Sequence, residues 1–495
     1  YAGPSYKNNK AVVMKQEKYG LAALERQIQR ELKYLNYPTE NWVKPVVGSK
    51  GEAVLDVAVI GGGMCGMAVA FGLTREGISN FRIFDAGNEG CEGPWVTTAR
   101  MRTLRSPKHL PGPHMGLPSL TFQSWYRTQV DDKAWEELEH IPRETWMEYL
   151  RWYRHVLKIP IENYSTLKKI IPDGDLLRLQ LSHPEGEFDV LARRLVLATG
   201  RAAFGGVRVP DIFKDVPKEL YAHTEEMIDF TALKGKNVLV IGGAASAVDN
   251  AAVALENGAS EVHLLMRSET IPRLNKFKSI AYAGFLRGYH YLNDEMRWRF
   301  LHHGLGSQVA APRRSMLRLK EYPNFHIHTG AGVKNVRIGD RDVTLVTDKA
   351  EFTGDFVILG TGYAIDIKQQ AELADFADQI LLWQDCYTPP KDIANEELGR
   401  FPYLGPGFEF LEKEKGSAPY LGQIHLFNAA TTLSHAAVSS DIPGVNVGAD
   451  RLVSALSIQF FTEGAEAHLK DFYAYNDPEL LGDEWREEDS ATRHV

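Results

Sequence analysis

The sequence predicts an α/β fold with two Rossmann-like βαβ units. Three observations predict it. An apolar strand, a glycine-rich turn, a helix and a second apolar strand follow one another between Leu55 and Phe84. The same order recurs between Asn237 and Met266. Alternation of strand and helix at these short spacings specifies a parallel sheet with helices packed on its faces.

Taken in order, residues 17–36 place Leu21, Leu24, Ile28, Leu32 and Leu35 at spacings of three and four, with charged residues between them. That pattern predicts an amphipathic helix ending near Pro38, its apolar stripe packed on the domain that follows. Leu55–Ile60 is a buried-strand pattern, the next helix runs to about Glu76, and Phe81–Phe84 is the second strand. Pro142 opens a helix over residues 145–157 whose Trp146, Tyr149, Trp152 and Tyr153 are read as core. Residues 194–198 form a strand ending in Thr199-Gly200. In the second unit, strand 237–241, turn 242–247, a helix containing 251–256 and strand 261–266 repeat the opening arrangement. Residues 271–322 are helical and aromatic-rich, and a late strand at 355–359 enters Gly360–Tyr363.

Composition narrows the function classes. The chain has 495 residues, 44% hydrophobic and 24% charged, ordinary for a globular protein with room for about three domains. A net charge of −8 argues against nucleic-acid binding, which needs a concentrated basic face. No apolar run reaches the roughly 18 residues of a membrane span. The polar, Lys-rich start lacks a signal-peptide core. Cys65, Cys91 and Cys386 are too scattered for a disulfide framework or a zinc site, and a reducing, cytoplasmic setting fits best. Adjacent His302 and His303 cannot share one helix face, so no metal is expected there, and none elsewhere. The acidic run Asp483–Asp489 reads as a solvated tail.

The first turn, Gly61-Gly62-Gly63-Met64-Cys65-Gly66, satisfies G-x-G-x-x-G between a strand and a helix. Gly61 permits the tight turn, Gly63 lets backbone approach a pyrophosphate, and Gly66 lets helix and strand pack closely. The helix N-terminus, with Met64 and Cys65 in its first turn, offers free N–H groups to phosphates. Asp85, 19 residues beyond Gly66 and followed by Ala86, stands where a carboxylate accepts ribose hydroxyls.

The second turn reads Gly242-Gly243-Ala244-Ala245-Ser246-Ala247, with Ala244 at the middle glycine position and Ala247 at the last. Twenty residues beyond Ala247 stands Arg267 rather than an acid. An arginine there pairs with a 2′-phosphate, so this site prefers NADPH to NADH. Two nucleotide sites of opposite charge preference imply electron traffic between two cofactors. FAD is assigned to the first and NADPH to the second, because the nicotinamide must leave and return while the flavin stays.

Over about residues 53–460 the chain resembles the class B flavin-dependent monooxygenases, which include flavin-containing, N-hydroxylating and Baeyer–Villiger groups. Leu197-Ala198-Thr199-Gly200 is similar to the family's first crossing between domains. Asp355 to Tyr363 is similar to its return crossing, D-x-x-x-x-A-T-G-Y, with Gly360 in place of alanine and Gly362-Tyr363 retained. Ser440-Asp441-Ile442-Pro443-Gly444, before a helix from about Val447, resembles the last flavin-contacting piece. The linker signature F-x-G-x-x-x-H is only partly kept: Pro217 and Glu219 replace Phe and Gly before His223, and Met227 stands at the Baeyer–Villiger tryptophan position.

The resemblance implies an FAD domain (51–205 and 346–495) with an inserted NADPH domain (206–345, aromatic insertion 271–322), preceded by a helical extension (1–50). It places Trp95 near the flavin ring. Arg100, Arg102, Arg105, Lys108 and His109 read as holders of FAD phosphates or a substrate carboxylate, or as surface charge. Arg105 and His223 are the catalytic candidates, and His435 is undecided. The implied reaction inserts one oxygen atom of O₂ into a small organic substrate through a C4a-(hydro)peroxyflavin. N-hydroxylation is slightly favoured over attack on sulfur, ketones or aromatic and heteroaromatic rings. Phe277, Tyr282, Phe285 and Tyr289 line the substrate pocket or belong to core. An NADPH-dependent flavoprotein oxidase or dehydrogenase, or a non-catalytic FAD-holding protein, remains an alternative, and self-association stays open.

Overall fold

The computed structural model describes residues 20–484. Most of the acidic Asp483–Asp489 run and the first residues of the N-terminal helical pattern lie outside the described residues.

The first sheet contains β1 (Val54–Ile60), β2 (Phe81–Phe84), β3 (Ile161–Glu162), β4 (Thr166–Asp173), β5 (Leu176–His183), β6 (Gly186–Leu197) and β17 (Ile424–Leu426), in the order β3-β2-β1-β6-β5-β4. β1 pairs in parallel with β2 and β6, β17 pairs in parallel with the end of β6, and β4-β5-β6 is an antiparallel meander. β1 is apolar on both faces because both are covered. Val57 and Val59 join the core beneath helix α2 (Met64–Arg75), while Ala58 and Ile60 join the core beneath the meander.

The second sheet is all parallel and contains β8 (Tyr221–His223), β9 (Asn237–Ile241), β10 (Glu261–Leu265), β11 (Phe325–His328) and β15 (Phe356–Leu359), ordered β11-β10-β9-β15-β8. Helix Ala245–Glu256 covers one face, and an antiparallel meander of β12 (Val333–Ile338), β13 (Val343–Thr347) and β14 (Glu351–Gly354) covers the other. A two-stranded tie, β7 (Gly205–Val207) with β16 (Tyr363–Ile365), joins the domains. The expected domain boundary after residue 345 falls inside β13. The second sheet draws in chain as far as Leu359, because β15 lies between β9 and β8.

Helix α1 (Leu21–Tyr34) buries Leu24 and Ile28 against the first domain, and Glu25 and Glu31 accept hydrogen bonds from Trp152 Nε1 (3.1 Å) and Ser119 Oγ (2.8 Å). The helix Arg143–Leu157 buries Trp146, Tyr149, Trp152 and Tyr153 among Phe122 and Trp125, as core. β6 begins eight residues before the strand expected at 194–198, where its polar half pairs with β5. Among the described residues, no helix is long and apolar enough to cross a membrane.

Candidate functional site

In the first crevice, backbone contact leaves no room for side chains. Gly61 adopts φ +105°, and a Cβ there would lie 2.4 Å from the carbonyl oxygen of Ala198. A Cβ on Gly66 would lie 1.9 Å from Gly61 O, so the helix start rests directly on the turn. Gly63 differs: a Cβ there would come no nearer than 3.7 Å to its closest neighbour, the Gly93 Cα of the Gly93–Trp95 loop. An unfilled approach over the N-terminus of a helix is what a dinucleotide pyrophosphate requires. Met64 and Cys65 occupy the first helical turn, and burial, with Asp441 nearby, pushes the Cys65 thiol up to about 12, leaving it an unreactive thiol. Asp85 accepts hydrogen bonds from the N–H groups of Gly62 (2.6 Å) and Gly87 (2.7 Å), which fixes its carboxylate at the crevice rim beside exposed Ala86. These residues fit FAD.

The first crossing is pinned from behind. Asn428 Nδ2 donates to Thr199 Oγ1 (3.1 Å), Ala429 N–H donates to Gly200 O (3.2 Å), and Gly200 takes φ +80°. Asp441, Pro443 and Gly444 precede the helix Val445–Glu463, which begins two residues before the start expected near Val447. A Cβ on Gly444 would stand 2.7 Å from Ala437 O, so this turn also packs backbone on backbone. Trp95 is half-buried, edge-on to Trp146 at 6.1 Å.

The second crevice repeats the geometry. Gly242 has φ +128°, and a Cβ would meet Gly360 O at 2.4 Å. Ala244 caps its helix at φ −87°, ψ 177°, close to the φ −69°, ψ −175° of Gly63. The turn therefore needs no glycine at that position, and alanine adds one methyl without altering the backbone. Gly243 backs onto Met266, and Ser246 is exposed in the first turn of the helix. Arg267 is exposed beyond the end of β10 and makes no ion pair among the described residues. Arg208 and Arg400 lie near it: with burial foremost, both neighbouring cations Arg267 and Arg400 lower the Arg208 pKa. A cation-rich rim of this kind fits the extra phosphate of NADPH.

Between the crevices, the tie and the crossings gather a polar cluster. His223 is buried at the end of β8, its Nδ1 accepting from Glu225 N–H (3.2 Å). Its Nε2 has no well-aligned partner among the described residues, although the Gly362 backbone lies beside it. Burial, the largest influence, lowers its pKa and keeps the ring neutral. The Tyr363 phenol donates to Glu225, and burial together with that carboxylate raises the tyrosine pKa. Arg201 lies beside Tyr363 and 3.5 Å from Asp441, and Thr98 Oγ1 reaches Glu225 at 3.4 Å. Sequence reading missed Thr98, Arg201 and Glu225. The only signal for Glu225 was its position two residues after His223, and its partner Tyr363 is 138 residues away.

The 100–109 cluster lies elsewhere. Arg105 sits 3.4 Å from Asp249, Arg102 and Arg318 share Glu256, and Arg100 packs over Phe230 at 5.4 Å, all on the inserted domain. Lys108 Nζ donates to Trp135 O (2.5 Å), and His109 stands edge-on to the same indole. These side chains dock the loop onto its neighbours. His435 is also accounted for: Arg451 donates to its Nδ1 (3.1 Å) and its Nε2 donates to Gly405 O (2.9 Å). It stacks on His290 at 4.2 Å and on Phe408 at 4.0 Å. In the aromatic insertion, Phe285 and Tyr289 pack on Phe300, Phe277 lies against Gly304, and Tyr282 is exposed.

Comparison with known proteins agrees with this architecture. Residues 58–282 match a family described as pyridine nucleotide-disulphide oxidoreductase. All three cysteines are free, so the described residues hold no disulfide-reductase pair. An FAD-dependent urate hydroxylase from Xanthomonas campestris pv. campestris is 35% identical over 467 residues, covering 93% of this chain and 98% of the relative. Among solved structures, ornithine hydroxylase from Pseudomonas aeruginosa superposes with TM-score 0.65 at 15% identity, over 83% of this chain and 100% of that one. L-lysine 6-monooxygenase from Pseudomonas syringae gives TM-score 0.58 at 17% identity, over 81% and 99%. With the two glycine crevices, the paired crossings and a full-length hydroxylase relative, the chain belongs to the class B flavin-dependent monooxygenases and is an FAD- and NADPH-dependent enzyme.

Proposed function

We propose that this monooxygenase hydroxylates urate, placing one atom of O₂ on a ring carbon while the other leaves as water. The observation that carries the reading is the 35% identity to a urate hydroxylase across nearly the full length of both chains. The polar cluster between the crevices supports it. Urate is a planar, anionic ring with N–H donors and carbonyl acceptors. Arg201 supplies a cation, Glu225 an acceptor for a ring N–H, and the neutral His223 an Nε2–H donor.

Bound FAD, reduced by NADPH, supplies the activated oxygen. The chain's own residues do the rest. Gly61–Gly66 and Asp85 hold the flavin nucleotide, and Gly242–Ala247 with Arg267 hold NADPH. Tyr363 keeps the Glu225 carboxylate in place through its phenol. His223 is buried and Tyr363 half-buried, which lowers the local dielectric and strengthens the polar contacts they make.

The preference for N-hydroxylation rested on residues 100–109 as a carboxylate holder. Those arginines are committed to Asp249, Glu256 and backbone carbonyls, so that support is gone. Likeness to the ornithine and lysine enzymes, at 15–17% identity, speaks for the fold alone.

The test is NADPH oxidation by the FAD-loaded enzyme with and without urate, with product mass checked for one added oxygen atom. Urate-dependent oxidation with that mass gain is expected. Oxidation stimulated by ornithine or lysine but not by urate would overturn the assignment.

A further inference from the structure

We propose that Glu261, His263 and His326 form a site for a borderline divalent transition-metal ion of the zinc class, with His328 orienting its histidine. The juxtaposition comes from strand register. His263 on β10 lies directly opposite His326 on β11. Side chains alternate along a strand, so Glu261 and His263 share one sheet face, and His326 and His328 share the same one. The intervening Val262, Leu264, Phe325 and Ile327 turn to the opposite face, into the apolar core beneath the helix Ala245–Glu256.

The distances suit one coordination sphere. One ligand atom from each of Glu261, His263 and His326 lies within 4.8 Å of the others, and His263 Nε2 is 3.1 Å from Glu261 Oε2. Two donors each about 2.1 Å from a zinc ion stand roughly 3–3.4 Å apart. The Glu261–His263 pair already has that spacing, and a side-chain torsion of His326 closes the rest. Two imidazoles and a carboxylate are a donor set for Zn²⁺, Ni²⁺ or Cu²⁺, with a position left for water.

The surroundings complete the site. Coordination through Nε2 requires His263 to carry its proton on Nδ1, and Nδ1 lies 3.1 Å from His328 Nε2, an acceptor that fixes ring and tautomer. Phe352 of β14 packs against His328 at 4.5 Å between ring centres and against His263 at 6.2 Å. Glu261 is exposed and the three histidines are half-buried, which leaves the site open to an ion from solvent. The ion would clamp β10 to β11 just before Arg267. This site is independent of the urate assignment.

The experiment uses the FAD-loaded enzyme, stripped with a chelator and without NADPH, titrated with Zn²⁺ by calorimetry and with Co²⁺ by visible absorption. One equivalent of binding is expected, together with a Zn²⁺-dependent rise in the thermal midpoint. Both should be lost in H263A and in H326A, and H328A should weaken binding about 10-fold. Flavin absorbance and far-UV circular dichroism report folding, and H326Q on the edge strand replaces any alanine variant that fails to fold. Absence of binding to the unmodified enzyme at roughly millimolar Zn²⁺, or undiminished binding in the H263A/H326Q variant, would overturn the proposal.

Discussion

Gly360 and Ala247 meet where the chain leaves the inserted domain, and a Cβ on Gly360 would stand 2.5 Å from the Cβ of Ala247. Gly360, which stands where the family pattern carries alanine, leaves the space that the Ala247 methyl fills.

That contact predicts a rescue. G360A should overpack the contact and cost about 1–3 kcal/mol, lowering the thermal midpoint and weakening NADPH binding. The double variant A247G/G360A should restore both toward the parent. Additive losses in the double variant would show that the two positions do not share the space.

Arg267 predicts cofactor choice. R267A should raise the apparent KM for NADPH by about 10–100-fold, the worth of a charge-assisted hydrogen bond to phosphate, and leave that for NADH nearly unchanged. Steady-state kinetics with both nucleotides measure it. Equal effects would assign the 2′-phosphate to other groups, with neighbouring Arg208 the next to test.

Glu225 predicts a split between catalysis and cofactor binding. E225Q removes the charge that Tyr363 and Thr98 address. It should lower urate-dependent kcat by about 10-fold or more while FAD content and the KM for NADPH stay near the parent values. A variant that loses flavin would make Glu225 part of the domain seam rather than of the substrate site.

Two buried histidines predict proton uptake on acid unfolding. Burial, the largest influence on both, pushes His425 from the usual 6.5 down to about 4 and His435 well below 6.5. Unfolded, each binds its proton near pH 6.5. Their contribution is therefore complete above that pH and is lost as pH falls toward 4. Between about pH 5.5 and 4.5 stability should fall by up to about 2–3 kcal/mol per pH unit from these two rings. Calorimetric unfolding in buffers of different ionisation heat counts the protons, and H425N should reduce the count by about one at pH 5.

Much of this molecule was legible in the residue order. Both glycine turns and the strands Phe81–Phe84 and Asn237–Ile241 are written in patterns local to a single βαβ unit, and the paired crossings in short motifs that resemble the family's. There, periodicity and the steric demands of glycine leave few alternatives. β6 was underread because its first half, Gly186–Val190, is polar and is stabilised by pairing with β5 rather than by burial. Asp85 was visible because it sits at a set spacing from Gly66. Glu225 was not, because nothing local distinguishes it from Glu226.

The sequence by itself determined the fold class and the two cofactors, and it set the expected charge preference at each nucleotide site. Only the tertiary structure decided which charged groups are available for chemistry. Arg102 and Arg105 are taken up by Glu256 and Asp249, whereas Arg201, Glu225 and Tyr363 converge between the crevices. It also decided that His263 faces His326, since cross-strand register joins residues 63 positions apart. The physical reason is the same in each case. Turns and strands answer to near neighbours and to burial, while the partner of a charge or an imidazole is chosen by how distant elements pack.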